Sequence, residues 1–530
     1  MQKIKKKLLA EASEALAVDD IDSSAEKLAQ VCHLFPRDER LWCFLARVEL
    51  KRCNMQGHDI AMKRAIQIKP NAAHLYFRYA VACPPMMTTL NDIQRIRQQM
   101  LDKVEKIHAI QHKFKQPILL SEVPTLSFYS GYHGEDEKHI NSQIFSLLRK
   151  LSHQELIYSP HVGRKTEGKI KLGIFSTCMR HHTIGRLFGE MLARLDQSIF
   201  EPTLIIHKPD ADDYTHSLAQ QLGNAFYIPK NAKQAALRLE TLKLDLLFFP
   251  DVGMDSFISF LALNRIATAQ CTTWGHPITT GIETMDAFLS VDGLEPERND
   301  PPYSETLLCQ SLVNSYYKPP PKPNEKNRQR FGFPNANIYG CPQTVFKFHP
   351  SYDQVLIDIY KRDPKACFVL SNSGFIYWAN LFTRRLDNKC PGISKRIYWL
   401  DKVSRSDFVE ALSYFDVMLD PFPFGGGNTT LEALAVDTPV VTLPQKFARG
   451  RLATTFYQQM NWTKLVAKNT DEYVDLSIKL ANEPSFRKQI VREIQTHRGT
   501  LYENSEAVSQ FGELLQQAYQ IGIQRCKANR

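Results

Sequence analysis

From residue 169 onward the chain alternates short apolar runs with segments of helical character, twice over, and this alternation constrains the fold more than any other feature. In the first series residues 171–176 read as a strand and are followed by a helix near 185–195. A strand at 202–207, a helix near 233–242 and a strand at 244–250 continue it. A second series runs through 338–342, 366–372, 396–400, 416–420 and 439–443, and the remainder is helical. Strands separated by helices build parallel, doubly wound sheets, so an α/β fold with two Rossmann-like lobes is expected. Between the two series, residues 318–330 are dense in proline and charge, a composition that resists packing and marks a connector. Such sheets bind ligands beyond the carboxyl ends of their strands, which places a site in the cleft between the lobes.

The first 85 residues follow a different pattern. Leu34-Phe35-Pro36 recurs as Ile68-Lys69-Pro70, with the prolines 34 positions apart. Apolar positions agree in that register: Leu28 with Met62, Val31 with Ala65, Cys32 with Ile66, and Leu41 with Leu75. This is the period of tetratricopeptide helix pairs. Two periods are too few for a free-standing solenoid, so this all-α arm is expected to lean on the rest of the chain. Residues 89–155 read as helical connecting structure with a turn-rich interruption at 129–136. The expected division is therefore 1–85 for the arm, 86–165 for the connection, 166–317 for the first lobe, 318–330 for the linker and 331–530 for the second lobe with its closing helices.

Several function classes are set aside by composition. No run approaches the ~20 apolar residues that span a bilayer, and Glu11 and Glu14 interrupt what would be the apolar part of a leader. The 11 cysteines are scattered, without a CxxC pair or zinc-ligand spacing, so neither a disulfide framework nor a structural metal is expected and a reducing cytoplasm is. A net charge of +10 suits anionic partners, but no nucleic-acid motif accompanies it, and no nucleic-acid partner is expected.

The stretch from Asp416 to Leu434 carries the most chemistry. A strand ends at Asp420, three glycines follow at Gly425, Gly426 and Gly427, and a helix begins near Asn428. Glycines let backbone approach a ligand closely, and a helix start offers free amides and a positive dipole end, together a diphosphate site. Thr429 and Glu432 also have the spacing of a capping box, which would tie both to the helix itself.

Read with other blocks, the chain resembles the bacterial branch of the O-GlcNAc transferase and SPINDLY family. The blocks are His181-His-Thr-Ile-Gly-Arg186, Phe249-Pro-Asp-Val-Gly253, Thr273-Trp-Gly-His-Pro-Ile-Thr-Thr-Gly281, Tyr303-Ser-Glu305, Pro342-Gln-Thr-Val-Phe-Lys347 with His349-Pro350, the glycine block, and Phe447-Ala-Arg-Gly-Arg451. They span roughly residues 125–484 in the family's order. The resemblance implies the GT-B architecture with a tetratricopeptide arm. It implies an inverting transfer from a nucleotide-sugar, UDP-GlcNAc first, to Ser or Thr hydroxyls of a protein acceptor held through the arm. GDP-fucose or a UDP-hexose as donor, or an inactive scaffold, are the alternatives.

Roles transfer where residues match. Lys347 resembles the lysine that neutralises the donor diphosphate. Asn428, Thr429 and Thr430, with Gly426 and Gly427, stand where the family offers amides and hydroxyls to it. Glu432 is similar to the ribose-holding carboxylate, and His182 to a cleft histidine near donor sugar and acceptor. Phe408 falls where a ring stacks on the nucleobase or packs in the core. His276 faces the cleft or braces a turn, and Arg451 contacts phosphate or braces a helix. Animal members place a glutamine three residues before the lysine. Here Thr344 stands there and Gln343 one earlier, so Gln343 is taken as the counterpart. No residue stands out as the base, and His182 is the candidate by its chemistry. With a lysine and a helix start available, the UDP-sugar is expected as substrate without cofactor or metal. Asp210-Ala-Asp212 has metal-nucleotide spacing but lies in a polar loop.

Overall fold

The computed structural model describes residues 1–528 except 125, 127, 165–166, 297–298 and 324–327. The middle of the expected linker and one expected boundary therefore lie outside the described residues. Two all-parallel sheets carry the α/β part. The first comprises β1 (Ile170–Phe175), β2 (Phe200–His207), β3 (Ala225–Ile228), β4 (Leu246–Phe249), β5 (Ala269–Thr273), β6 (Ala287–Val291) and β7 (Thr306–Gln310). Its spatial order is β3-β2-β1-β4-β5-β6-β7. The second comprises β8 (Asn337–Cys341), β9 (Ala366–Ser371), β10 (Ile397–Leu400), β11 (Val417–Leu419) and β12 (Val440–Val441), in the order β10-β9-β8-β11-β12. The order reverses direction between β1 and β4 and again between β8 and β11. Those are the topological switch points, where crevices open beyond the strand ends.

The arm is built on the repeat. Helices Ile21–Leu34 and Met55–Ile68 have the same bounds 34 positions apart, and each is capped by the residue before it. The Asp20 carboxylate accepts from the Ser23 amide and the Asn54 side chain from the Gly57 amide, both at 3.1 Å. Leu28, Val31, Cys32, Leu41, Met62, Ala65 and Leu75 are all buried in one cluster of the arm's own. The arm also leans on the second lobe. Asp19 accepts from the Tyr377 amide at 2.7 Å, and the Trp378 indole donates to the Lys51 carbonyl at 2.8 Å.

Two findings differ from the sequence reading. The expected helix at 185–195 is instead a π-helical turn, Gly185–Gly189, running into a short α-helix, Glu190–Ala193. The Tyr214 hydroxyl donates to the Gly185 carbonyl at 2.7 Å at the start of this wider turn. The expected lobe 331–530 is also not closed on itself, because its last helix, Ser505–Ala528, packs on β5 and β7 of the first sheet. Phe511 meets Phe248 edge-on at 5.5 Å, and a Cβ at Gly522 would lie 2.4 Å from that of Ala269, so only glycine permits the approach. Among the described residues no helix is long and apolar enough to cross a membrane.

One buried ion pair fixes the loop after β8. Arg385 donates to both carboxylate oxygens of Asp353 (2.9 and 2.7 Å), to the Phe348 carbonyl at 2.6 Å and to the Met87 carbonyl at 2.7 Å. It thus joins the connecting segment to the turn that carries Lys347. Truncating Arg385 leaves Asp353 buried with only Lys389 as an ion-pair partner among the described residues. Arg385→Ala is expected to destabilise the second lobe by about 3–5 kcal/mol, read as a lower denaturant midpoint at unchanged slope.

Candidate functional site

The loops after β8 and β11 meet at the second sheet's switch point. After β8 a short 3-10 turn, Val345–Lys347, points the Lys347 ammonium at the glycine block. Its Nζ donates to the Gln343 side-chain oxygen at 3.0 Å and to the Gly425 carbonyl at 2.9 Å, and it stands 4.8 Å over the Phe424 ring. An ammonium has three donors, so one remains for a ligand. Burial lowers the Lys347 pKa to about 8, with nearby Asp420 opposing the shift. Asp420 itself is pushed up to about 6 by burial, while it accepts from the Gly426 amide and the Thr442 hydroxyl, both at 2.7 Å.

The glycine block has a steric reason. A Cβ at Gly426 would lie 2.7 Å from the Gln343 amide nitrogen, and that nitrogen is buried without a hydrogen-bond partner. The helix Asn428–Ala435 starts from Gly427, and no side chain caps it. The capping box suggested by Thr429 and Glu432 does not form, because Thr429 is already inside the first turn. Thr430 turns its hydroxyl back to the Gly426 carbonyl at 2.8 Å, and Asn428 accepts from the Tyr317 hydroxyl at 2.9 Å. An uncapped helix end, an orphan amide nitrogen and a lysine with a spare proton therefore converge on one crevice. Each favours an anion.

Glu432 sits deeper, accepting from Arg405 Nε at 3.2 Å, with Arg186 of the first lobe 4.0 Å away. The carboxylate is thus paired across the cleft. Phe408 lies on the helix Arg405–Leu412, half-buried and packed against the core. Arg451 directs its guanidinium to the carbonyls of Gly293 (3.2 Å) and Gln445 (3.0 Å), so it braces the two lobes.

On the facing side, His182 follows β1. The Ile184 amide donates to its Nδ1 at 3.3 Å, which puts the ring proton of the neutral form on Nε2. Burial and the nearby arginines Arg186 and Arg180 lower its pKa to about 4, so at neutral pH it donates a hydrogen bond rather than taking a proton. His276 is buried, stacked on Phe128 at 5.8 Å, its Nε2 without a hydrogen-bond partner, and burial lowers its pKa to about 4. Asp210 and Asp212 work separately. Asp210 bonds His207, whereas Asp212 caps the helix Asp213–Leu222.

Sequence reasoning passed over three groups here: Arg186 and Arg405 on Glu432, and Asp251. Asp251 lies beyond β4 at the first sheet's switch point, accepts from Ser176 at 2.9 Å, and is pushed up to about 7 by burial. Arg186 and Asp251 both stand inside quoted motif blocks, so the signal was present without the role.

Residues 309–509 match the model of glycosyl transferase family 41, so the second lobe is a domain of that family. The matched part of the chain is similar to proteins of the O-GlcNAc transferase and SPINDLY group, in keeping with the resemblance of its motif blocks. A probable UDP-N-acetylglucosamine–peptide N-acetylglucosaminyltransferase SPINDLY from Arabidopsis thaliana is 29% identical over 238 residues, 42% of this chain and 25% of that protein. The Petunia hybrida protein of the same name is 26% identical over 225 residues, 41% of this chain and 24% of its own length. The chain thus spans about a quarter of these curated relatives. A UDP-glucose:protein N-beta-glucosyltransferase from Actinobacillus pleuropneumoniae is 24% identical over 260 residues, 48% of this chain and 40% of that protein. In structure, a Thermobaculum terrenum O-GlcNAc transferase mutant matches 100% of this chain and 99% of its own at a TM-score of 0.68 and 18% identity, a likeness of fold.

The lowered pKa of Lys347 makes anion binding pH-dependent. Binding a diphosphate raises that pKa, so binding takes up a proton wherever the free lysine is neutral. Calorimetric UDP affinity is expected to be flat from pH 7 to about 7.5 and to fall towards tenfold per pH unit above about 8. Lys347→Ala should bind more weakly and lose that slope.

Proposed function

We propose that the protein is an inverting glycosyltransferase that moves GlcNAc from UDP-GlcNAc to Ser or Thr hydroxyls of a protein acceptor. The observation that carries this reading is the convergence of Lys347, the Gln343 amide nitrogen and the uncapped end of the helix Asn428–Ala435 on one crevice. As the bond between the sugar's anomeric carbon and the diphosphate oxygen breaks, negative charge grows on the leaving UDP. Lys347 and the helix-start amides meet that charge in a partly desolvated site, where they stabilise the transition state more than the bound donor. The acceptor hydroxyl attacks the opposite face of the anomeric carbon, which inverts it, while UDP departs and the hydroxyl proton passes to water in the cleft. His182, with its proton on Nε2, holds the sugar or the acceptor by donation.

The printed names of the SPINDLY relatives and of the bacterial glucosyltransferase share a UDP donor and a peptide or protein acceptor, which supports uridine over guanosine. The glucosyltransferase makes UDP-glucose the second donor to examine. With Lys347 and the helix end against the diphosphate, no divalent cation is needed in this reading. Eleven free cysteines agree with a reducing, cytoplasmic setting.

The test is a thermal-shift panel of UDP and GDP, with and without EDTA, followed by transfer assays with UDP-GlcNAc, UDP-glucose and GDP-fucose. UDP is expected to raise the melting temperature equally with EDTA present, and UDP-GlcNAc to be the best donor. A shift with GDP alone contradicts the donor, and loss of the UDP shift in EDTA contradicts metal independence. Lys347→Ala is expected to cut turnover by about 100-fold or more while the protein stays folded.

A further inference from the structure

A cavity of about 560 Å³ lies where the arm meets the first lobe. Its walls come from the helices Glu39–Lys51, Met55–Ile68 and Ala73–Ala80, from the segments after them, and from Ser256 of the first lobe. Its charged lining is of one sign: Arg47, Lys51 and Arg78, with His58 beside them and no carboxylate among the described residues that line it. Arg47 and Lys51 are four apart on one helix and so share a face. The Arg47 guanidinium stands 4.8 Å over the Phe44 ring, Arg78 Nε donates to the Glu122 carbonyl at 2.7 Å, and none of the three cations forms an ion pair among the described residues.

A second groove of about 370 Å³ adjoins the cavity through Cys43, Arg47 and Arg78 and adds Arg40 and Lys69. Its four cations, Arg40, Arg47, Lys69 and Arg78, outnumber its two carboxylates, Glu39, which pairs with Lys69, and Glu122, which stands 3.2 Å from His74. The positive potential therefore continues along the arm. At its inner end the cavity is lined by Phe128 and Tyr129. Phe128 stacks on His276, and Phe128 and Tyr129 meet Phe346, one residue before Lys347, edge-on at 5.6 and 5.7 Å. The cationic cavity of the arm is thus separated from the turn that carries Lys347 only by this layer of packed rings.

We propose that this cavity binds the acceptor, and that the acceptor is an extended polypeptide segment bearing acidic side chains beside the residue to be modified. The inference rests on the transferase reading and specifies the acceptor class. Unpaired cations in a partly enclosed groove attract carboxylates more strongly than exposed ones do, and they reject a lysine-rich segment by like-charge repulsion. The groove's aliphatic walls, from Leu50, Met62, Val81 and Ala82, suit the apolar positions between those carboxylates.

The test uses the full chain and fluorescein-labelled peptides with a central Ser flanked by Glu, by Gln or by Lys, read by fluorescence anisotropy without donor. Tenfold or tighter binding of the Glu peptide over the Gln peptide is expected, with the Lys peptide weakest. Arg47→Glu with Lys51→Glu should weaken the Glu peptide at least tenfold and favour the Lys peptide. Arg47→Gln with Lys51→Gln gives the milder form of the same loss should the reversal misfold. Equal affinity for the three peptides, or variants that bind the Glu peptide within twofold of wild type, overturns the proposal. So does a single-stranded oligonucleotide that binds as tightly as the Glu peptide and is equally weakened by the variants. UDP thermal shift on the same variants is expected to be unchanged. Its absence in wild type would contradict the transferase reading, while the peptide affinities judge the acceptor class independently.

Discussion

Burying the Lys347 ammonium costs free energy that the protein recovers only in part. Its partners are a side-chain amide oxygen, a backbone carbonyl and an aromatic face, with Asp420 nearby as the counter-charge. A lysine held this way is poised for an anion, because an incoming diphosphate restores the charge compensation that burial removed. Much of the second lobe can be read as support for that arrangement. Arg385 pins the turn after β8, Asp420 fixes the Gly426 amide, and the glycines let the β11 loop lie against Gln343. The topology makes this possible, since β8 and β11 are neighbours whose following loops part in opposite directions.

Cleft closure is the second consequence. Arg186 of the first lobe approaches Glu432 of the second, Arg451 reaches the Gly293 carbonyl, and the helix Ser505–Ala528 crosses back onto the first sheet. One apolar cluster therefore spans both lobes, while the first sheet's other face packs with the connecting helices in a second. The arm keeps a cluster of its own and touches the second lobe through Tyr377 and Trp378. The Lys347 turn and the arm are joined by the aromatic rings between them, Phe128, Tyr129 and Phe346.

What the sequence revealed follows the range of the interactions concerned. The glycine turn, the strand before it and the arm's period are local patterns, and the structure places elements there. Strand β5 gave no apolar signal because Ala269–Thr273 is a buried run of mostly polar residues. Gln270 and Thr273 are satisfied by carbonyls of Ala262 and Leu289, a pattern that only the folded sheet supplies. The partners of Glu432 were out of reach for the same reason: Arg405 and Arg186 come from other elements and from both lobes. His182 was visible as a residue type, but its tautomer is set by the Ile184 amide, and that turns a candidate base into a donor. Phe408 and Arg451 matched by position. Their surroundings give one a packing contact with the core and the other a brace between carbonyls.

The central claim is that the crevice beyond β8 and β11 holds a nucleoside diphosphate through Lys347 and the start of the helix Asn428–Ala435. A crystal structure of the protein with UDP tests it most directly. The account predicts the diphosphate against the amides beyond Gly427, with Lys347 Nζ and the Gln343 amide nitrogen within hydrogen-bond distance of its oxygens. A diphosphate bound elsewhere, with Lys347 left on the Gly425 carbonyl and the helix end empty, would contradict it.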